Sequence, residues 1–170
     1  MPPSPSALCA LVVDDDEDAR ELSRQLVKKA EPSAIVIAVP GAREAMDYLL
    51  RATNPADGST LLPAVMLLDL NMPGMNGFDL LRWVHRNQSL SSVKVVMLST
   101  SDSPAEIRKA SELGAYAFFI KYPNPACFAA VFKQATGTAT PFAANIDGHD
   151  SDLPVGSGSG LLRRQSSGNY

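Results

Sequence analysis

Cysteine is scarce in this chain. The two residues present, Cys9 and Cys127, both lie inside apolar runs and suggest no disulfide framework. That fits a reducing compartment, so a cytoplasmic protein is expected. Long apolar runs are missing as well, and none reaches the length of a membrane span. Met1-Pro-Pro-Ser-Pro-Ser lacks the basic region and apolar stretch of a secretory signal. No excess of positive charge exists either. Fifteen Lys and Arg against 18 Asp and Glu give a net charge of −3, which argues against a non-specific nucleic-acid binder. The only histidines, His85 and His149, make no metal or phosphotransfer motif. What remains is 45% hydrophobic and 19% charged, which permits an ordinary core and excludes global disorder. The 170 residues suffice for one domain with some tail left over.

The chain divides unequally. Residues 1–6 read as an N-terminal tail. Residues 7–135 alternate strand-like and helix-like segments. Residues 136–170 hold six of the eleven glycines, and Val155-Gly-Ser-Gly-Ser-Gly160 has linker composition. That last stretch reads as a flexible tail without an output domain. In the middle part, Ala7–Val13, Ala34–Val39, Val65–Leu68, Val93–Leu98 and Tyr116–Ile120 are short apolar runs. Strands apolar throughout are buried on both faces, as in a parallel sheet covered by helices. Between them, Ala19, Leu22, Leu26 and Ala30 repeat at helical spacing, as do Phe78, Leu81 and Val84. Ser103-Pro-Ala-Glu106 has the form of a capping box with Pro at the first helical position. Gly114 would end that helix, and Asn124-Pro125 opens a last one. Five such units predict an α/β three-layer sandwich, in which ligands bind at the carboxyl ends of the strands.

The strand ends gather chemistry. Asp14, Asp15, Asp16, Glu17 and Asp18 follow the first run. Asp69, Leu70 and Asn71 close the third, Ser99, Thr100 and Ser101 the fourth, and Lys121 the fifth. Carboxylates gathered on one rim repel, so without a cation at least one should have a raised pKa. Oxygen-only ligands favour Mg2+. No Gly-rich loop or second basic clamp is present to hold a nucleotide. The set suits one small phosphoryl group on a carboxylate, neutralised by Lys121. Taken singly, each residue has a plainer use: Asp16 and Asp18 as caps or solvated acids, Lys121 as a surface lysine, Ser99 and Thr100 as loop hydroxyls.

Val12-Val-Asp-Asp15, Leu67-Leu-Asp-Leu-Asn-Met-Pro-Gly-Met-Asn-Gly77, Val95-Val-Met-Leu-Ser99 and Phe118-Phe-Ile-Lys121 resemble the receiver domain of two-component response regulators. The resemblance covers about residues 7–135. It implies a flavodoxin-like fold, with a five-stranded parallel sheet of order 2-1-3-4-5 and five helices. It also implies roles. Asp69 is the phosphoacceptor, taking a phosphoryl group from a phosphohistidine on a sensor histidine kinase or a histidine phosphotransfer protein. Asp14 and Asp15, with Asp69 and the backbone carbonyl of Asn71, hold Mg2+. Ser99 and Lys121 meet the phosphoryl oxygens. Phe118 is the aromatic that turns inward as Ser99 moves. Thr100 and Ser101 tune dephosphorylation and partner choice. A protein of this kind catalyses only its own phosphorylation and dephosphorylation, and acts on a downstream protein target.

Three features depart from the family pattern. Proline follows the lysine one residue late, in Lys121-Tyr122-Pro123, so a cis peptide is expected at Lys121–Tyr122 or Tyr122–Pro123. Asn54–Leu62 lengthens the connection to the third strand and, with Leu98-Ser-Thr-Ser101, resembles stand-alone regulators that partner phytochrome-like or hybrid kinases. No effector motif follows residue 135, and Arg163-Arg164-Gln-Ser-Ser is read as tail composition rather than a kinase site. Receivers can dimerise through their last strands and helices. Phe118, Phe119, Tyr122, Phe128 and Phe132 would serve either that face or the core. Two other readings compete. One is a phosphohydrolase of the haloacid-dehalogenase type, which needs a second Asp where Asn71 stands. The other is a receiver-shaped scaffold that is never phosphorylated, against which the complete set of site residues argues.

Overall fold

The structure is a computed structural model that describes residues 8–54 and 56–137 and the backbone of 143–145. The N-terminal stretch 1–6, the linker-like segment 155–160 and the Arg163-Arg164 motif lie outside the described residues. Strands β1 (Cys9–Val13), β2 (Ile35–Val39), β3 (Val65–Asp69), β4 (Lys94–Ser99) and β5 (Ala117–Ile120) alternate with helices α1 (Glu17–Ala30), α2 (Ala42–Ala52), α3 (Gly77–Arg86), α4 (Pro104–Glu112) and α5 (Pro125–Thr136). The five strands pair in parallel in the order 2-1-3-4-5, as expected.

Side-chain alternation along the strands builds two cores. Leu11, Val13, Met66, Leu68, Val95, Met97 and Phe118 face α2, α3 and α4. Ala10, Val12, Val65, Leu67, Val96, Leu98, Ala117 and Phe119 face α1 and α5, where Phe128 and Phe132 stack with ring centroids 5.6 Å apart. Every residue of β1 and β3 is buried, which is why those runs show no polar alternation. Each fully buried large side chain contributes roughly 1.5–3 kcal/mol over its exposed state, so the central strands dominate stability. Phe118, Phe119, Phe128 and Phe132 are all core residues, and of the five aromatics near this face only Tyr122 is exposed.

Three helices begin with polar caps on the rim where the strands end. Asp16 Oδ1 accepts from the Ala19 amide at 3.0 Å, Asn76 Oδ1 from Asp79 at 3.1 Å, and Asn124 Oδ1 from Ala126 at 2.8 Å. The partial positive ends of α1, α3 and α5 thereby face the acidic rim. Gly77 permits the tightest approach. Its amide donates to the Leu70 carbonyl at 2.9 Å, and a Cβ there would strike the Asp69 carbonyl oxygen and lie 2.9 Å from Leu70 Cα. Gly114, at φ +91°, turns the chain out of α4.

Two local results differ from expectation. A sixth strand, β6 (Ala143–Asn145), pairs in parallel with the outer edge of β5, inside the stretch read as tail. Three small or polar residues are too short a run to carry strand periodicity. Their backbone covers an edge whose peptide groups would otherwise be unpaired. Helix α4 starts at Pro104 as expected, with Ser103 at the N-cap, yet the Ser103 side chain makes no capping bond. The box is open.

Candidate functional site

The first strand delivers Asp14 and Asp15 to the rim. Asp14 is buried, its carboxylate accepting from the Asp16 amide through Oδ1 at 3.0 Å and from Lys121 Nζ through Oδ2 at 2.6 Å. Asp15 is exposed. Arg20, one turn into α1, donates from one guanidinium nitrogen to the carbonyls of Asp14 at 2.8 Å and Asp15 at 3.0 Å. Those bonds fix the backbone that aims the acid pair. No residue pattern signals this role for Arg20, because backbone carbonyls carry no residue identity.

Asp69 ends β3 and is 5% exposed. Its Oδ1 lies 2.8 Å from Lys121 Nζ, so the lysine bridges Asp14 and Asp69. Oxygens of Asp14, Asp15 and Asp69 all lie within 4.8 Å of one another. This is a hard-oxygen donor set of the kind Mg2+ takes, and the residues fit such an ion. Burial holds the Asp69 carboxyl above its ordinary pKa. The Lys121 hydrogen bond works against that rise, and the charges of Asp14 and Asp15 add to it. Burial opposes the Lys121 charge, but its bonds to both carboxylates prevail and raise its pKa. The expectation of at least one raised carboxyl therefore holds for Asp69.

Strand β4 supplies Ser99, which is fully buried, and its carbonyl accepts from the Lys121 amide at 2.7 Å. That backbone bond ties the hydroxyl-bearing and lysine-bearing strand ends together. Ser99 Oγ accepts from the Ser101 amide at 3.1 Å. Thr100 and Asn71 are exposed in the loops after β4 and β3. Phe118 is 1% exposed, in register with Met97 on the α2–α3–α4 side. The Lys121–Tyr122 peptide is cis, one of the two positions expected.

A model of the response regulator receiver domain matches residues 10–132. The chain belongs to this family. Among relatives of this receiver, the two-component response regulator ARR17 of Arabidopsis thaliana is 35% identical over 117 residues, covering 67% of this chain and 75% of ARR17. ARR8 of the same plant is 31% identical over 121 residues, covering 65% of this chain and 53% of ARR8. The receiver spans about half the length of curated relatives such as ARR8 and the rice regulator ORR4. Among solved structures, the bacteriophytochrome response regulator RtBRR superposes with a TM-score of 0.65 at 30% identity, covering 84% of this chain and 85% of RtBRR. The phosphorylated cyanobacterial phytochrome response regulator RcpA gives a TM-score of 0.60 at 25% identity, covering 77% and 90%. These neighbours agree with the expected likeness to phytochrome-partnered regulators. Among the described residues, no helix is long and apolar enough to cross a membrane.

Proposed function

We propose that this receiver accepts a phosphoryl group on Asp69 from a phosphohistidine of a sensor histidine kinase or histidine phosphotransfer protein, and thereby switches a protein-binding surface. One observation carries the reading: Lys121 Nζ bridges the Asp14 and Asp69 carboxylates within a cluster of three. In the transfer, an Asp69 carboxylate oxygen forms the new bond to phosphorus as the N–P bond of the phosphohistidine breaks. The imidazole nitrogen keeps the bonding pair and takes up a proton. Such a transfer needs chiefly positioning and charge neutralisation. Mg2+, held by Asp14, Asp15, Asp69 and the Asn71 carbonyl, would supply part of that neutralisation. Lys121 follows the charge from the carboxylate to the phosphoryl oxygens, and Ser99 donates its hydroxyl to another. The role is signalling rather than metabolic catalysis, with chemistry limited to the protein's own phosphorylation and dephosphorylation. A cytoplasmic setting and a downstream protein target complete the reading.

The test is incubation of the full chain with acetyl phosphate and Mg2+, followed by intact-mass measurement and a phosphate-affinity gel. One base-labile phosphoryl adduct is expected, absent in Asp69→Asn and after chelation of the metal. Labelling that persists in Asp69→Asn defeats the assignment. Rapid multiple turnover of phosphomonoesters would favour a phosphohydrolase.

A further inference from the structure

Helix α4 carries a start signal left half-made. In a capping box, the N-cap serine hydroxyl accepts from the amide three residues on, and the acid there accepts from the serine's own amide. Ser103 and Glu106 have that spacing, and neither bond forms. Ser103 makes no side-chain capping bond. The Ser103 amide is already engaged, donating to Ser101 Oγ at 3.2 Å. Glu106 Oε2 is buried with no hydrogen-bond partner. A buried carboxylate oxygen without a donor is costly, and the donor that the box would supply is held by another acceptor.

That competing acceptor is itself tied to the site. The Ser101 amide donates to Ser99 Oγ at 3.1 Å. Two successive hydroxyl-to-amide bonds, each spanning two residues, therefore run from the buried Ser99 hydroxyl to the first residue of the α4 cap. Such local bonds are weak and easily exchanged. Their alternative here is a charge-assisted bond from Ser103 N–H to a carboxylate, which is stronger, at a helix N-terminus that favours negative charge.

We propose that Ser99, Ser101 and Ser103 form a relay that closes the α4 capping box when a phosphoryl group is carried on Asp69. The proposal rests on the reading of Asp69 as phosphoacceptor. As Ser99 turns its hydroxyl to the phosphoryl oxygen, its Oγ leaves the Ser101 amide. Ser101 then reorients and gives up the Ser103 amide, which Glu106 takes. The Ser103 hydroxyl in turn accepts from the Glu106 amide. The start of α4 changes from an open to a capped form, so a partner that contacts this end of α4 meets a different surface in each state. The bias is thermodynamic: the phosphoryl group acts because it stabilises one of two arrangements of the same loop.

The experiment follows amide hydrogen exchange by NMR in the full chain, before and after treatment with acetyl phosphate and Mg2+, with the adduct on Asp69 checked by mass. Exchange at Ser103 and Glu106 is expected to slow roughly tenfold on phosphorylation, as two capping bonds form. Glu106→Gln, which keeps an acceptor, should retain the slowing at Ser103, whereas Glu106→Ala should lose it while still acquiring the adduct. Ser101→Ala, which frees the Ser103 amide, should show slowed exchange at Ser103 before any phosphorylation. If the adduct forms and Ser103 behaves alike in the parent chain and Glu106→Ala, the relay is wrong and the reading of Asp69 stands. If no adduct forms on Asp69, that reading falls and the relay falls with it.

Discussion

Replacing Lys121 by methionine tests whether the site is held together by charge. The ammonium sits 2.6 Å from Asp14 and 2.8 Å from Asp69, and the three side chains are only 9%, 3% and 6% exposed. Water and salt screen such a cluster poorly. Methionine keeps most of the volume, so the change isolates the charge. Removing one partner of a buried pair costs about 3–5 kcal/mol, because the remaining charge is left uncompensated. For a receiver of this size that is a fall in Tm of roughly 10–20 °C at pH 7 without divalent ions. The direction with pH follows from linkage. Without the lysine, nothing offsets the burial that raises the Asp69 pKa, so Asp69 binds a proton more readily folded than unfolded and the variant should regain stability as pH falls from 7 towards the carboxylate range. Millimolar Mg2+ should restore part of the loss at constant pH by binding the folded state. Adding Asp69→Asn to Lys121→Met removes one stranded carboxylate and should also recover stability. Thermal melts followed by far-UV circular dichroism, at several pH values with and without Mg2+, measure all of this. A Tm within about 2 °C of the parent at pH 7, below the low end of the range given by breaking a buried pair, would refute the reasoning. So would a loss in the double variant as large as in Lys121→Met alone.

Other outcomes follow from single contacts. Gly77→Ala drives a methyl into the Asp69 carbonyl and Leu70 Cα, and should cost at least about 1–3 kcal/mol in urea unfolding through forced backbone shifts; an unchanged midpoint would contradict the close approach. Asp16→Ala removes the α1 cap and should lose about 1 kcal/mol by the same measurement. In metal-free protein, burial first and the neighbouring acids next raise the Asp69 pKa above 3.8 despite Lys121. Its ionisation therefore opposes folding: the contribution is most favourable below the unfolded pKa and declines as pH rises through the folded one. Asp69→Asn should thus gain stability relative to the parent across that window, and a difference that stays flat with pH would contradict the shift.

The fold was legible where burial leaves a compositional mark. Val65–Leu68 lies under helices on both faces and shows an unbroken apolar run, so its place in a parallel sheet could be read directly. Strand ends were legible for a related reason: a charged or hydroxyl-bearing group straight after such a run has to lie on the rim. That placed Asp14, Asp69, Ser99 and Lys121 together before any distance was known. Elements that depend on backbone were not legible. Ala143–Asn145 joins the sheet through peptide groups alone, and Arg20 acts on two carbonyls. The start of α4 was legible, but its unmade capping bonds were not, for a subtler reason. Ser101, Ser103 and Glu106 can satisfy the same amide in two ways, as a serine turn or as a capping box, and the sequence contains both.

That ambiguity bears on how the proposed switch would work. Three carboxylates against one ammonium leave two negative charges at the rim, which one divalent cation balances. Phosphorylating Asp69 consumes its carboxylate charge and adds a group of nearly two negative charges, so the site gains roughly one more. Lys121 is already shared between two carboxylates and brings no new charge. The remaining donor on the described rim that is both buried and neutral is the Ser99 hydroxyl, whose oxygen now accepts from Ser101. The added charge can recruit that hydroxyl only by drawing on the loop that leads to α4. On this reading the signal leaves the site through Ser99 because the ammonium of Lys121 is already shared between Asp14 and Asp69, and the unpartnered Glu106 Oε2 marks where it arrives.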